Sequence, residues 1–247
     1  MIGTFYGVGV GPGDPELLTR KAVRVLSEVD WIFHPYDSPD GSSFSKRIVD
    51  PLGLPEAKFK AVHLTMSRQR SKDLQTYDMA AEAIFAKLRE GQSVAWITQG
   101  DPFFYSTFMY LYEQIRRRYP EVPIEVIPGV TSPSAAAALA GVPVSRLDEK
   151  VAVVPATYGL ETLPTLLDDF ATVFLMKVNR VFDPLLDVLA ALPTPVRAIY
   201  LEKVGTADER IVTDLETLRG QKLPYFSLVL LRRHQEAAPL QDERQAR

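Results

Sequence analysis

One segment constrains the fold of this chain more than any other: Val8-Gly9-Val10-Gly11-Pro12-Gly13-Asp14-Pro15, entered from Thr4-Phe5-Tyr6-Gly7 and left through Glu16 to Ala22. An apolar run, a glycine-rich turn and then residues at helical spacing make the strand–turn–helix corner at which open α/β sheets bind small ligands. Two phosphate templates fail here. A dinucleotide fingerprint needs Gly-x-Gly-x-x-Gly, but the third glycine position is Pro12 when counted from Gly7 and Asp14 when counted from Gly9. A P-loop ends in Gly-Lys-Ser/Thr, whereas this turn ends in Gly13-Asp14, whose carboxylate repels a phosphate. The turn therefore offers close backbone approach to a ligand that is not a polyphosphate.

Beyond the turn, strand and helix signals alternate. Leu17, Leu18, Ala22, Val25, Leu26 and Val29 recur at helical spacing, with Asp14 or Pro15 placed to start the helix. Trp31-Ile32-Phe33 reads as a second strand, followed by a polar stretch from Pro35 to Ser45 and a short helix through Lys46-Arg47-Ile48-Val49. The spacing predicts a long helix over Ser71 to Glu90, closed by Gly91, then the apolar strand Ser93 to Thr98 and a helix from Phe104 to Tyr119. Two prolines, Pro120 and Pro123, cannot continue that helix, and they place the expected domain boundary. The division is then residues 1–121, 122–235 and a frayed tail over 236–247. Further strands are expected at 124–127, 151–154, 171–176, 196–201 and 225–231, with helices at 132–140, 160–169 and 181–192. The fold class is α/β: two α/β domains with mostly parallel or mixed sheets and a ligand cleft between them.

Composition narrows the function. A formal charge of −3 disfavours a general nucleic-acid binder, whose affinity comes from clustered Lys and Arg. The absence of cysteine removes disulfides, thiolate nucleophiles and cysteine metal ligands, and it fits a reducing cytoplasm. No signal stretch is seen, and no apolar run reaches the ~18 residues of a membrane span. The expectation is a cytoplasmic protein with neither a membrane nor a metal.

Four expected strand ends carry unusual turns: Gly11-Pro12-Gly13-Asp14, Gly100-Asp101-Pro102, Pro128 to Ser132, and Glu202-Lys203-Val204-Gly205-Thr206. Any one is ordinary turn punctuation. Strands of a parallel sheet end on a shared edge, so the four together are expected to converge on one crevice.

With these motifs the chain resembles the tetrapyrrole methyltransferase family, two-domain enzymes that methylate precorrins, cobalt-corrin precursors and uroporphyrinogen. The resemblance runs from Phe5 to about Leu231 and rests on Val8 to Asp14 with Leu18-Thr19, on Thr98-Gln-Gly-Asp-Pro-Phe-Phe-Tyr-Ser106, and on Val126 to Ser132 followed by Ala-Leu-Ala-Gly-Val-Pro143. Phe174 to Val178 and Tyr200 to Thr206 look most like the branch that methylates precorrin-2, or its cobalt-bound form, at carbon 20.

The resemblance implies S-adenosylmethionine as methyl donor and S-adenosylhomocysteine as product. Carried over by motif position, the donor contacts are Pro12, Gln99, Gly100, Asp101, Phe104, Thr131, Ser132, Met176 and Gly205. Relatives often carry glycine where this chain has Gln99, so a backbone contact could carry over while the role of its side chain stays open. Asp101 could equally start a turn, Met176 could belong to a core, and Thr131 or Ser132 could cap a helix. Methyl transfer needs positioning more than a nucleophilic residue, with a general base for the ring proton. Asp14, Asp101 and Glu202 are the candidates for that base, and His34 is a further catalytic candidate as the histidine best placed to meet the substrate or a central metal. His34, just after the second strand, could instead simply bond to backbone. Lys46, Arg47, Arg68, Arg70 and Lys177 are candidates for the acetate and propionate groups of a tetrapyrrole.

The resemblance also implies a homodimer. The competing functions are methylation of another tetrapyrrole, such as uroporphyrinogen-III or a later precorrin, and a non-catalytic ligand-binding module.

Overall fold

The computed structural model describes residues 1–36, 42–64, 70–157 and 160–233. The chain divides into two units, Met1–Ala135 and Ala136–Arg247. The first is built on five parallel strands: β1 (Phe5–Gly9), β2 (Trp31–Tyr36), β3 (Phe59–His63), β4 (Val94–Thr98) and β5 (Ile124–Ile127), in the order β3-β2-β4-β1-β5. Because side chains alternate across a strand, each strand supplies both faces of the sheet. On β4, Ala95 and Ile97 face a core completed by Ala22, Val25 and Leu26 of α1 (Arg20–Glu28) and by Ile48 and Val49 of α2 (Phe44–Val49). Val94 and Trp96 face the other core, built from Ile84 and Leu88 of α3 (Arg70–Arg89) and Phe108, Leu111 and Ile115 of α4 (Phe108–Arg118). All five β4 residues are buried, which accounts for that strand's unbroken apolar sequence.

Several expectations shift in position. The break at Tyr119–Pro123 ends α4, but it lies inside the first unit, because Ile124–Ile127 pairs in parallel with β1 as the edge strand of the same sheet. The first long helix starts at Arg20 rather than at Asp14 or Pro15: Asp14 caps a separate 3₁₀ turn at Pro15–Leu17, and the Thr19 hydroxyl accepts from the Ala22 N–H to open α1. The polar segment after Tyr36 falls partly, and the tail from 236 wholly, outside the described residues.

The second unit begins within α5 (Ser132–Leu139) and contains β6 (Val151–Pro155), α6 (Leu163–Asp169), β7 (Thr172–Met176), α7 (Phe182–Ala190), β8 (Val196–Glu202), β9 (Arg210–Val212) and β10 (Ser227–Arg233). Its sheet is mixed, in the order β6-β7-β10-β8-β9. β10 runs antiparallel to both β7 and β8, so β6, β7 and β8 point the same way and end on one edge. Leu163 and Leu167 of α6 and Leu185 and Leu186 of α7 pack on one face of this sheet with Val173, Leu175, Tyr200, Val229 and Leu231.

The four turns therefore do not share one sheet edge. Three follow β1, β4 and β5 in the first unit. The fourth, Glu202 to Thr206, follows β8 in the second sheet, where its strand pairs with β10 and β9.

Candidate active site

Three turns of the first unit are knotted together by backbone. Gly11 and Gly100 exchange two bonds, Gly100 N–H to Gly11 O at 2.7 Å and Gly11 N–H to Gly100 O at 3.2 Å. Both glycines have positive φ, 79° and 69°. A Cβ at Gly9 would stand 2.6 Å from Gly100 O and 2.7 Å from Gly129 N, closer than real side-chain carbons come to other atoms. Glycine is required at Gly9 because three strand ends touch there through bare backbone.

Side chains tighten the same knot. Asp101 sits at the carboxyl end of β4; its Oδ2 accepts from the Gly129 N–H at 3.0 Å and its Oδ1 from the Phe103 N–H at 2.9 Å. The second bond is the turn-starting role open to this residue, and the first ties the β4 turn to the β5 turn. Gln99 does have a side-chain role: its Nε2 donates to Pro12 O at 3.0 Å, tying the β4 turn to the β1 turn. Pro12 is buried, and Phe104 is partly exposed with its ring edge-on to Tyr105, 5.1 Å between centroids. Thr131 accepts the Ala135 N–H on its carbonyl, the capping position of α5, and its hydroxyl lies 3.1 Å from that of Ser134. Ser132 is the first residue of α5. The structure thus brings together Pro12, Gln99, Gly100, Asp101 and the Gly129–Ser132 turn.

Met176 and Gly205 lie in the second unit, on the edge shared by the ends of β6, β7 and β8. Met176 is half-buried, and its carbonyl accepts from Ala156 N–H at 2.8 Å. Lys177, next in the chain, is left-handed with φ 59°, and its ammonium lies 5.6 Å from the Tyr225 ring centroid. The Gly205 N–H donates to Glu209 at 3.0 Å, inside the connection from β8 to β9.

The candidate catalytic residues sit in different surroundings. Asp14 accepts from the Glu16 N–H at 2.8 Å. Glu202, 9% exposed, accepts from the Tyr200 hydroxyl at 2.5 Å and pairs with Arg210 Nε at 3.2 Å. Burial, and then this bond, pushes the Tyr200 phenol well above its usual range. Tyr200 and Arg210 escape a sequence reading because they meet Glu202 only through strand alternation and the pairing of Glu202 with Arg210 across β8 and β9. His34 is 5% exposed, and its Nδ1 has no hydrogen-bond partner among the described residues. Burial first, and the Lys46 charge second, hold its pKa below the ordinary histidine value.

Of the basic candidates, Lys46 is held by Asp50 at 2.9 Å and Glu56 at 3.1 Å, and the Asp50 bond raises its pKa. Arg47 is exposed over the Phe44 ring at 5.2 Å. Arg70 opens α3, and Arg68 lies outside the described residues. Among the described residues no three His, Asp or Glu side chains group as a metal cage, and no helix is long and apolar enough to cross a membrane.

A parallel α/β unit whose strand ends meet through bare backbone, followed by a mixed α/β unit, defines a small-molecule-binding protein of two α/β domains. The profile of the tetrapyrrole (corrin/porphyrin) methylases matches residues 4–219, and the chain belongs to that family. It is 34% identical over 238 residues to a precorrin-2 C(20)-methyltransferase of a Sinorhizobium species, covering 93% of this chain and 95% of the relative. It is 30% identical over 240 residues to the cobalt-precorrin-2 C(20)-methyltransferase of Salmonella typhimurium, covering 96% of this chain and 100% of the relative. The solved uroporphyrin-III C-methyltransferase of Thermus thermophilus superposes with a TM-score of 0.64 at 27% identity, over 93% of this chain and 94% of the other.

Proposed function

We propose that this chain transfers a methyl group from S-adenosylmethionine to carbon 20 of precorrin-2 or of its cobalt-bound counterpart. The observation that carries the donor half is the knot of Gly9, Gly11, Gly100 and Gly129, which leaves no Cβ between a ligand and the backbone of three strand ends. The acceptor half is supported by the activities for which the Sinorhizobium and Salmonella relatives are named, and these align along nearly their whole lengths.

In this reading the donor supplies an electrophilic methyl group on a sulfonium, and the chain supplies position. Backbone groups of the Gln99-Gly100-Asp101 turn and the N-terminus of α5 present donors and acceptors to the ribose and to the amino-acid end. Asp101 contributes by fixing the turn, since both of its oxygens already accept backbone hydrogens. Phe104, Met176 and Gly205 are proposed as further donor contacts, and Arg47, Arg70 and Lys177 as cations for the acceptor's carboxylates, by motif position and charge. A cytoplasmic homodimer belongs to the same proposal, the homodimer resting on the resemblance and the cytoplasm on a chain without cysteine.

The test is incubation of the purified chain with methyl-labelled S-adenosylmethionine and, separately, precorrin-2, cobalt-precorrin-2 and uroporphyrinogen-III, with product position read by NMR. Label at carbon 20 of either of the first two is the expected outcome. Label on uroporphyrinogen-III alone, or on none, refutes it.

A further inference from the structure

The turn that follows β4 carries three aromatic residues in a row, Phe103-Phe104-Tyr105, and it is pinned at both ends. At its start, Asp101 Oδ1 accepts from the Phe103 N–H at 2.9 Å and the Asp101 carbonyl from the Phe104 N–H at 3.3 Å. At its finish, the Ser106 hydroxyl lies 2.8 Å from that of Thr98, the last residue of β4, and accepts from the Phe108 N–H at 3.1 Å. The chain thus leaves β4 at Thr98 and comes back to it at Ser106. Tyr105 stands one Cα step, about 3.8 Å, from a residue bonded to the base of the Gln99-Gly100-Asp101 turn.

Held between those pins, Tyr105 has φ 54°. A side chain at positive φ strains the backbone, and where the same knot needs a left-handed residue elsewhere it uses glycine, at Gly11 and Gly100. The other non-glycine residues at positive φ, Leu147, Lys177 and Lys203, belong to the second unit. Core packing does not account for the tyrosine, because it is 40% exposed. The Phe103 ring packs back on Phe108 and Tyr112 of α4, with centroids 5.9 Å and 5.2 Å apart, whereas the Tyr105 ring stands edge-on to Phe104 within the turn itself.

Resting on the proposed methyl transfer, we propose that Tyr105 positions the acceptor: its ring is the surface on which the conjugated face of the tetrapyrrole lies, beside a donor held by the Gln99-Gly100-Asp101 turn. The reaction dictates this neighbourhood, since the methyl group passes directly from sulfur to carbon and the acceptor's contacts must adjoin the donor's. An exposed aromatic ring suits a flat conjugated ligand, and little freedom is lost on contact because tyrosine has two side-chain torsions on a backbone already fixed at both sides. The strain is the cost of presenting a side chain where glycine would suit the backbone better. Tyr105 acts on no bond that forms or breaks, so its effect falls on acceptor binding.

The test is anaerobic titration of precorrin-2 and of uroporphyrinogen-III into the chain with S-adenosylhomocysteine bound, together with steady-state kinetics on whichever of them is methylated. Tyr105→Ala should weaken acceptor binding and raise the acceptor KM by about tenfold or more, with S-adenosylhomocysteine affinity within about twofold of wild type. Tyr105→Phe keeps the ring and should bind the acceptor within about threefold of wild type. Tyr110→Ala removes another exposed ring of the same unit, one packed on Tyr77, and should leave both affinities unchanged. Tyr105→Gly should lose acceptor affinity as the alanine variant does yet melt at a higher temperature, because glycine relieves the left-handed backbone. Unchanged acceptor binding in Tyr105→Ala, or a phenylalanine variant as weak as the alanine variant, overturns the inference. An equal fall in S-adenosylhomocysteine affinity also overturns it, by placing the ring in the donor site, and a glycine variant no more stable than the alanine variant removes the strain on which it rests. Methylation at another carbon, with Tyr105→Ala still weakened for that acceptor, refutes the proposed function and leaves this inference standing; a wild-type chain that binds no tetrapyrrole refutes both.

Discussion

Asp101 shows how one side chain changes meaning between sequence and structure. The Gly-Asp-Pro run is legible as a turn, and the carboxylate reads equally well as a ligand for hydroxyls, a base or a turn initiator. The geometry favours architecture, since its two oxygens receive the N–H groups of Phe103 and Gly129. Asp101→Ala should therefore cost about 1–3 kcal/mol in urea denaturation by leaving the partly buried Gly129 N–H unpaired, and it should weaken S-adenosylhomocysteine binding in calorimetry. Asp101→Asn keeps one acceptor oxygen and should keep most of the turnover; complete loss in that variant would return Asp101 to the role of base.

His34 gives a second test at this scale. Burial lowers its folded-state pKa below the unfolded value of 6.5, so its contribution to stability is present above that pH and lost as pH falls through it. Between about pH 7 and pH 5 the melting temperature of the wild-type chain should drop more steeply than that of His34→Asn. Equal slopes would show that His34 is not held neutral in the fold.

At the scale of elements, the central and helical parts of the chain were legible because burial writes a period into the sequence. Val94–Thr98 is apolar throughout, and α3 keeps Tyr77, Ala81, Ile84 and Leu88 on one side. Edge strands lack that signal. β3 reads Phe59-Lys60-Ala61-Val62-His63 and buries no residue, and β9 is three residues long with Arg210 and Ile211 exposed, so neither stands out from a loop. The cost of missing β9 is functional as well as topological. Without it Glu202 looks like a free carboxylate beside a glycine turn, whereas the β8–β9 pairing sets Arg210 against it and alternation along β8 puts Tyr200 on the same face. The raised Tyr200 pKa has a pH signature. Its protonated form stabilises the fold fully below the unfolded value of 10.0, and that contribution is lost as pH rises above it toward the folded value. Denaturation midpoints measured above about pH 10 should fall in the wild-type chain and fall less in Tyr200→Phe; identical alkaline slopes would mean that the phenol is not held protonated by burial and Glu202.

At the scale of the whole molecule, the question is where one unit stops. Pro120 and Pro123 are the strongest breakers in the middle of the sequence, yet the chain resumes after them as β5 and completes the first sheet beside β1. A breaker ends an element; only pairing shows whether the next element belongs to the same sheet, and parallel pairing across more than a hundred residues leaves no local trace. The cores divide more cleanly than the punctuation does. Both cores of the first sheet draw their residues from positions up to Ile127, and the core of the second sheet draws its own from Ala152 onward. Each unit thus buries its own apolar surface, the requirement for folding as a domain. A fragment of residues 1–141, cut at the positive-φ Gly141 after α5, should show a cooperative thermal transition and α/β circular dichroism. A fragment of residues 1–121 lacks β5, and it should melt at lower temperature or fail to fold, because β1 then loses its neighbour on one side and the Gly129 turn is gone. If the shorter fragment proved as stable as the longer, β5 would be dispensable to the first unit, and the boundary would belong at the prolines after all.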